Sequence, residues 1–155
     1  MNFSQITEDL FIGTTPHRRD YDVLRGLGVG LVINMRVTRG PKPHPRDLHI
    51  QYLWLHTFDN PLIPIPLRAF TRGVNAALEV IRRGGKVYVH CAHGRHRSVA
   101  MGAAILIAQG MPAPDAMVLI KKRRSTADPN VFYIRRRILF FARRWALIKQ
   151  SNWTG

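Results

Sequence analysis

The only cysteine of the chain, Cys91, begins a short segment whose residue types and spacing suit phosphate chemistry. Gly94 follows three positions later, Arg97 six positions later and Ser98 seven positions later. A thiolate is a nucleophile, a guanidinium can grip two phosphoryl oxygens at once, and a hydroxyl can donate a hydrogen bond to sulfur. We therefore predict that Cys91 attacks a phosphate ester, that Arg97 holds the phosphoryl group and that Ser98 eases the departure of the sulfur.

The elements around this segment predict how it becomes an anion site. Residues 86–90 have the composition of a strand, and residues 98–109 have the apolar pattern of a helix. A loop that joins a strand to a helix N-terminus directs backbone N–H groups at one point and favours an anion there. The same field should lower the pKa of the Cys91 thiol. The alternative is that Cys91 only packs as a small hydrophobic residue.

The residues between Cys91 and Arg97 are predicted to bind the substrate. Glycine permits a tight turn of the backbone, and three of the other side chains are cationic or protonatable. Such side chains favour a substrate with more than one phosphate, although they could equally point into solvent. The predicted substrate-binding residues are Ala92, His93, Gly94, Arg95 and His96.

A carboxylic acid is needed to protonate the departing oxygen and then to activate water. Asp59 lies on the loop that follows a predicted strand at residues 49–55, and such loops can open at the same sheet edge as the Cys91 loop. We predict that Asp59 is this general acid. Its residue type also suits a turn before Pro61, which is the structural alternative. Two weaker candidates are Asp47 and Asp128.

Strand and helix patterns alternate along the rest of the chain. Continuous apolar runs such as residues 29–35 are typical of strands buried on both faces of a parallel sheet. The sequence predicts an α/β fold with a central, mostly parallel sheet of four to five strands flanked by helices. The predicted strands are 10–13, 29–35, 49–55 and 86–90; the predicted helices are 17–27, 67–83, 98–109, 113–123 and 130–149; proline-rich loops cover 36–48 and 61–66.

Length and cysteine content limit the organisation of the chain. A chain of 155 residues fits one domain, predicted at residues 1–150, with a short C-terminal tail at 151–155. One cysteine excludes an internal disulfide and a cysteine-rich zinc site, which suits a reducing compartment. Residues 99–108 form the longest apolar run, well short of the ~20 residues of a membrane span, and no secretory signal is evident. We expect a soluble, cytoplasmic protein.

The net charge of +15 is expected to concentrate anions near the surface. Candidate partners are phosphorylated proteins and other anionic phosphate esters, with nucleic acid or an anionic lipid as further possibilities. Arginines at 135–137 and 143–144 accompany apolar residues in the last predicted helix. The apolar side of that helix is expected to pack as core, and contact with a membrane is the alternative. Composition does not predict an oligomeric state.

The segment from Cys91 to Ser98 matches Cys-x5-Arg-Ser/Thr and resembles the cysteine-based protein tyrosine phosphatase superfamily. The short chain resembles the atypical dual-specificity phosphatase branch: residues 6–13 resemble its first strand, and the position of Asp59 resembles its general-acid loop. Arg124 with Asn130 is similar to a late Arg-x5-Asn element of that branch. The resemblance implies a phosphocysteine intermediate, no metal or other cofactor, and supporting roles for three residues: His90, Arg124 and Asn130.

Three functions are open at this point. The first is hydrolysis of phosphotyrosine and phosphoserine or phosphothreonine in proteins. The second is dephosphorylation of phosphoinositides or RNA 5′ ends, suggested by the positive charge and by a resemblance of His93-Gly94 to RNA 5′-phosphatases. The third is a pseudophosphatase that binds phosphate without turnover, although a loop kept only for binding has no chemical need of the Cys91 thiol.

Overall fold

The computed structural model describes residues 1–38, 40, 42–44, 46 and 49–153. Asp47, one of the weaker acid candidates, lies outside the described residues. The strands are β1 (Phe3–Gln5), β2 (Leu10–Gly13), β3 (Val29–Asn34), β4 (Gln51–Trp54) and β5 (Lys86–His90). The helices are α1 (Tyr21–Gly26), α2 (Leu67–Arg82), α3 (Arg97–Ala108), α4 (Ala113–Arg123) and α5 (Phe132–Trp153).

The strands form one sheet in the order β1-β2-β5-β3-β4. All neighbouring pairs are parallel except β1 with β2, which is antiparallel. This arrangement confirms the predicted mostly parallel sheet. The parallel strands reach the same edge together, because Gly13 and Asn34 both pair with His90, and Asn34 pairs with Trp54.

Alternation along the strands divides the core between the two faces of the sheet. On β2, Leu10 and Ile12 belong to a large cluster that also contains side chains of α2, α3, α4 and α5. Phe11 points the other way, into a smaller cluster with Tyr21 and Leu24 of α1. The helices therefore cover both faces, which explains the continuous apolar runs in the central strands.

The central helix α3 is buried along its whole length. It lies between the sheet and the other helices, and its small residues permit close approach. Gly102 is the clearest example, because a Cβ atom there would collide with Cδ1 of Ile12. Burying α3 in this way fixes its N-terminus, which follows the Cys91 loop directly.

Several element boundaries differ from the sequence predictions. Strand β1 was not predicted, because three half-exposed or exposed residues carry little apolar pattern. Helix α1 is shorter than predicted, since residues 18–20 form a 3-10 turn before it. Helix α5 runs to Trp153, so the first three residues of the predicted tail at 151–155 are helical. The Ser151 hydroxyl donates to the Ile148 carbonyl at 2.9 Å.

Helix α5 confirms the expectation that its apolar side packs as core. Ile134, Ile138 and Phe141 are buried in the large cluster. The arginines at 135, 136, 143 and 144 remain exposed on the other side. No helix among the described residues is long and apolar enough to cross a membrane.

Candidate active site

The site lies at the carboxyl edge of the sheet, where the loop of residues 91–96 connects β5 to α3. The strand delivers Cys91 to this edge, and the helix begins at Arg97. Gly94 has a φ of +66°, a left-handed conformation that favours glycine. A Cβ atom at Gly94 would also lie 2.9 Å from the Gly13 carbonyl oxygen, so the loop packs too closely there for a side chain.

Cys91 is 3% exposed, and its Sγ lies 3.2 Å from the Oγ of Ser98. Burial raises the pKa of the Cys91 thiol, because a buried thiolate loses its hydration. The hydrogen bonds from the Ser98 hydroxyl and backbone N–H, the charge of Arg97 and the Gly94 N–H outweigh burial, and the pKa ends below its ordinary value. The loop therefore favours the thiolate over the thiol.

Arg97 is almost fully buried, 8% exposed, and is held from outside the loop. Its Nη1 donates to the Thr57 carbonyl at 2.8 Å and to the Met35 carbonyl at 3.3 Å. Its Nε is buried without a hydrogen-bond partner among the described residues. An unpaired buried donor is costly, and a phosphate oxygen would satisfy it. The guanidinium is thus anchored on one side and available on another.

Arg124 supports the loop from behind. Its Nε donates to the Gly94 carbonyl at 2.8 Å, and its Nη2 donates to the His93 carbonyl at 3.2 Å. Its Nη1 donates to Asn2 Oδ1 at 3.0 Å, which links the loop to the start of the chain. With these carbonyls bound to Arg124, the N–H groups of the loop face the opposite side, toward the anion position.

His90 is buried directly before the nucleophile. Burial lowers the pKa of His90 to about 4, and the charges of Arg36 and Arg97 act in the same direction. The ring is therefore neutral at neutral pH. The backbone of the loop is also held by Thr15, whose hydroxyl donates to the Cys91 carbonyl at 3.2 Å and accepts from Arg36 at 3.0 Å. The low pKa makes His90 a weak proton acceptor beside the thiol.

Asp59 lies across the site and is held by two side chains. The Tyr133 hydroxyl donates to Asp59 Oδ1 at 2.7 Å, and Asp59 Oδ2 lies 3.0 Å from His96 Nδ1. Burial raises the pKa of Asp59. The hydrogen bonds from Tyr133 and His96, with the charges of His96 and Arg97, outweigh this effect, and the pKa ends below its ordinary value.

Tyr133 completes this group of side chains. Burial and the hydrogen bond to Asp59 raise the pKa of Tyr133 to about 12, so the phenol keeps its proton and remains a donor. Its hydroxyl is also 3.2 Å from His96 Nδ1, and His96 Nε2 is 3.9 Å from Asp128 Oδ2. We call Asp59, His96 and Tyr133 the acid cluster. Asp128, the other weaker candidate, lies at its outer edge.

The remaining predicted site residues divide into three groups. Ala92 is half-buried in the loop, whereas His93 and Arg95 are exposed at its rim. Asn130 is exposed before α5, where its Oδ1 accepts from Arg135 at 3.3 Å. The structure therefore brings His90 and Arg124 to the loop and leaves Asn130 outside it.

Sequence reasoning missed Tyr133 and the two carbonyls that anchor Arg97. Tyr133 follows a proline-containing segment and is one of several aromatic residues in α5, so no motif separates it from core positions. The carbonyls of Met35 and Thr57 carry no residue-type signal at all. Only their place after β3 and β4, at the carboxyl edge, could have suggested a role.

Comparison with known proteins agrees with this geometry. The family described as "Dual specificity phosphatase, catalytic domain" matches residues 10–142. Dual specificity protein phosphatase 1B of Arabidopsis thaliana is 31% identical over 134 residues, which cover 86% of this chain and 78% of that protein. Dual specificity phosphatase 28 of Homo sapiens is 32% identical over 128 residues, which cover 81% of this chain and 70% of that protein.

Solved structures give the same fold. The crystal structure of human DUSP28 has a TM-score of 0.80 at 25% sequence identity and covers 95% of this chain and 99% of that chain. The crystal structure of PTPMT1 in complex with PI(5)P has a TM-score of 0.82 at 24% identity and covers 95% of this chain and 98% of that chain. At that identity, the second likeness concerns the fold alone.

Proposed function

This chain belongs to the dual specificity phosphatase family, and we propose that it hydrolyses phosphate monoesters with Cys91 as nucleophile and Asp59 as general acid. It is a cysteine-dependent phosphatase of the family that acts on phosphotyrosine and on phosphoserine or phosphothreonine in proteins. The observation that carries the proposal is the Cys91 thiol, 3.2 Å from the Ser98 hydroxyl, with a pKa lowered by its loop.

In the first step, the Cys91 thiolate attacks phosphorus in line with the ester oxygen. The sulfur–phosphorus bond forms as the bond between phosphorus and the ester oxygen breaks, and Asp59 gives its proton to the departing oxygen. Arg97 binds two of the remaining phosphoryl oxygens, and the loop N–H groups bind the negative charge. The products are a phosphocysteine and the free alcohol.

In the second step, water hydrolyses the phosphocysteine. Asp59, now a carboxylate, takes a proton from the attacking water, and the sulfur–phosphorus bond breaks as the bond from water oxygen to phosphorus forms. The Ser98 hydroxyl donates to the departing sulfur and stabilises it as a thiolate. Inorganic phosphate leaves, with Asp59 protonated and Cys91 ionised as before.

The lowered pKa of Asp59 has to be reconciled with its role as an acid. In the free protein, Tyr133 and His96 stabilise the carboxylate. A bound phosphate dianion acts in the opposite direction, because its negative charge raises the pKa of a neighbouring carboxyl group. The bound substrate therefore promotes protonation of Asp59. We expect kcat/KM, which reports the protonation state of the free protein, to be highest below neutral pH.

A second candidate substrate class is the phosphoinositides or RNA 5′ phosphates. His93 and Arg95 are exposed at the rim of the loop, where they can meet a second anionic group. The solved complex of PTPMT1 with PI(5)P concerns a protein of the same fold.

The chain has one cysteine, and we propose a single phosphatase domain at residues 1–150 that works in the reducing cytoplasm.

Trapping of the intermediate tests the mechanism. Acid quenching during turnover of a phosphotyrosyl peptide, followed by mass spectrometry, should find one phosphoryl group on the peptide that contains Cys91. The Asp59→Asn variant should accumulate more of this adduct when the leaving group needs no acid, because the water step is slowed. Steady turnover with a phosphoryl group on another residue, or with none, would overturn the assignment.

Substrate class is tested with a panel at about 0.15 M salt, where long-range attraction is screened. It contains a phosphotyrosyl peptide, a phosphoseryl peptide, a phosphoinositide and a 5′-triphosphate RNA. We expect the highest kcat/KM for the phosphotyrosyl peptide. A phosphoinositide or RNA that exceeds both peptides would establish the second candidate instead.

A further inference from the structure

An apolar groove lies beside the acid cluster, between residues 58–65 and the first turns of α5. Its volume is about 520 Å³. Two of its lining residues, Ile65 and Ile134, are buried, so the groove reaches down to the core and is not a flat patch. Its other apolar lining residues include Phe58, Ile63, Phe132 and Phe140.

The groove begins where the leaving group of the substrate must lie. Phe58 and Asn60 flank Asp59 in sequence and line the groove, as does Tyr133, which donates to Asp59 at 2.7 Å. In an in-line displacement, the leaving oxygen is opposite the nucleophile and beside the acid. Whatever is attached to that oxygen therefore extends toward the groove.

The rim of the groove is positive. Arg136, Arg137 and Arg143 line it, and no lining residue is acidic. Arg137 is already used, because its Nη2 donates to the Ile65 carbonyl at 2.6 Å and its guanidinium lies 4.1 Å from the Phe140 ring centroid. Arg136 and Arg143 are exposed, and neither has an acidic partner among the described residues. Two guanidinium groups are thus available for anions.

Several apolar side chains around the groove are exposed to solvent. Phe132 is 61% exposed and Ile63 is 44% exposed. Contiguous exposed apolar residues with a polar rim mark interaction sites, and aromatic residues with arginine dominate binding energy at such sites. A bulky apolar side chain would fit the recess, and acidic residues beside it would meet the arginines.

We propose that this groove binds the protein segment that flanks the phosphorylated residue, with a bulky apolar side chain in the recess and acidic side chains at Arg136 and Arg143. This proposal rests on the proposed function and specifies its substrate. A planar membrane surface would touch Leu62, which is 88% exposed, and the arginines, but it would leave the recess unfilled. The depth of the groove therefore favours an inserted peptide side chain.

The test compares three phosphotyrosyl peptides of equal length. The first has phenylalanine and leucine with glutamates beside the phosphotyrosine; the second replaces the apolar residues by alanine; the third replaces the glutamates by glutamine. The variants are Phe132→Ala and Arg136→Gln. Arg135→Gln is the matched control, because Arg135 is exposed, loses the same charge and does not line the groove. A small aryl phosphate, which lacks the flanking residues of a peptide, reports the catalytic step.

We expect the unaltered protein to prefer the first peptide by about tenfold in kcat/KM over either of the others. Phe132→Ala should remove the preference for apolar residues and keep the preference for glutamates, and Arg136→Gln should do the reverse. Arg135→Gln should keep both preferences. Hydrolysis of the aryl phosphate should stay within about twofold in all variants, since surface substitutions away from the chemistry have small effects.

Equal kcat/KM for all three peptides would overturn the groove assignment, and so would a parallel loss of aryl phosphate hydrolysis in the groove variants. A third contrary result would be that the groove variants keep both peptide preferences but lose hydrolysis of a phosphoinositide in anionic vesicles. Binding affinities of the same peptides for the Cys91→Ser protein require no turnover and test the groove separately from catalysis. If the peptides bind with the expected order of affinity but the unaltered protein hydrolyses no phosphate ester, the groove assignment would be supported and the proposed function contradicted.

Discussion

The two halves of the site, the Cys91 loop and the acid cluster, are built by different means. The loop is continuous in sequence, and buried Arg124 binds its carbonyls. The acid cluster joins Asp59 and Tyr133, from two distant segments, to His96 at the end of the loop through side-chain contacts alone. Asp59 itself is a third exposed, whereas Cys91 is 3% exposed.

This difference indicates what each half contributes. Buried groups with fixed partners are preorganised, so the charge state of Cys91 and the position of Arg97 are set before substrate arrives. Partly exposed side chains that hold one another reorganise at lower cost, and their protonation responds to a bound anion. The loop is therefore expected to supply most of the rate enhancement, and the acid cluster to set its dependence on pH and on the leaving group.

Removal of the nucleophile should give the largest effect. Cys91→Ser should lower kcat by about 10⁴-fold or more, because a serine hydroxyl at this position stays protonated at neutral pH. Vanadate or phosphate should still bind, since Arg97 and the loop N–H groups are unchanged. Steady-state kinetics with an aryl phosphate and titration with vanadate measure the two outcomes. Residual activity above a few per cent of the original would mean that the loop is not the source of the nucleophile.

The acid should have a smaller and more selective effect. Asp59→Asn should lower kcat/KM by about 10²–10⁴-fold for alkyl phosphates, whose departing oxygen needs a proton, and much less for aryl phosphates with acidic leaving groups. The variant should also lose the decline in activity that accompanies deprotonation of Asp59 as the pH rises. Profiles of kcat/KM against pH for both substrate types measure this.

Asp128→Asn is the matched control for that experiment. Asp128 lies 3.9 Å from His96 on the outer side of the cluster, and the same chemical change there should alter kcat only slightly. If Asp128→Asn and not Asp59→Asn abolished the dependence on the leaving group, the acid would have been assigned to the wrong carboxylate.

The same contrast explains what the sequence could predict. The spacing of Cys91, Gly94, Arg97 and Ser98 is a local pattern, and a strand followed by a helix fixes its geometry, so residue types were enough. The parallel sheet followed from apolar runs such as β3, whose neighbours cover it on both faces. Asp59 was predicted from its place after a strand, because parallel strands bring their carboxyl ends to one edge.

The remaining parts depend on contacts between distant segments. Tyr133 meets Asp59 across 74 positions of sequence, and nothing in its own neighbourhood marks it. The Met35 and Thr57 carbonyls that hold Arg97 are backbone groups, which any residue could supply. The supporting role of Asn130 was inferred from resemblance alone, and its exposed side chain accepts a hydrogen bond from Arg135.

The smallest expected effect concerns Tyr133, and it addresses the acid cluster most directly. Tyr133→Phe removes a hydrogen bond that stabilises the Asp59 carboxylate, so the pKa of Asp59 should rise. A neutral-donor hydrogen bond is worth about 1 kcal/mol, which corresponds to a shift of up to roughly one pH unit. Protonated Asp59 then persists to higher pH, and the decline of kcat/KM for an alkyl phosphate should move in that direction. The value of kcat below this decline should fall by less than about tenfold, since the acid itself remains.

Tyr88→Phe separates this role from a merely structural one. The Tyr88 hydroxyl donates to the Thr14 carbonyl at 2.6 Å, and the residue is buried in the middle of β5. Loss of this hydrogen bond should lower the free energy of unfolding without moving the pH profile, because Asp59 keeps its bonds to Tyr133 and His96. A profile that shifts equally in both variants, or that does not shift in Tyr133→Phe, would show that the tyrosine only packs against the site. A shift confined to Tyr133→Phe and to alkyl phosphates requires that the Tyr133 hydroxyl tune the acid, because kcat/KM for an aryl phosphate does not depend on a proton from Asp59.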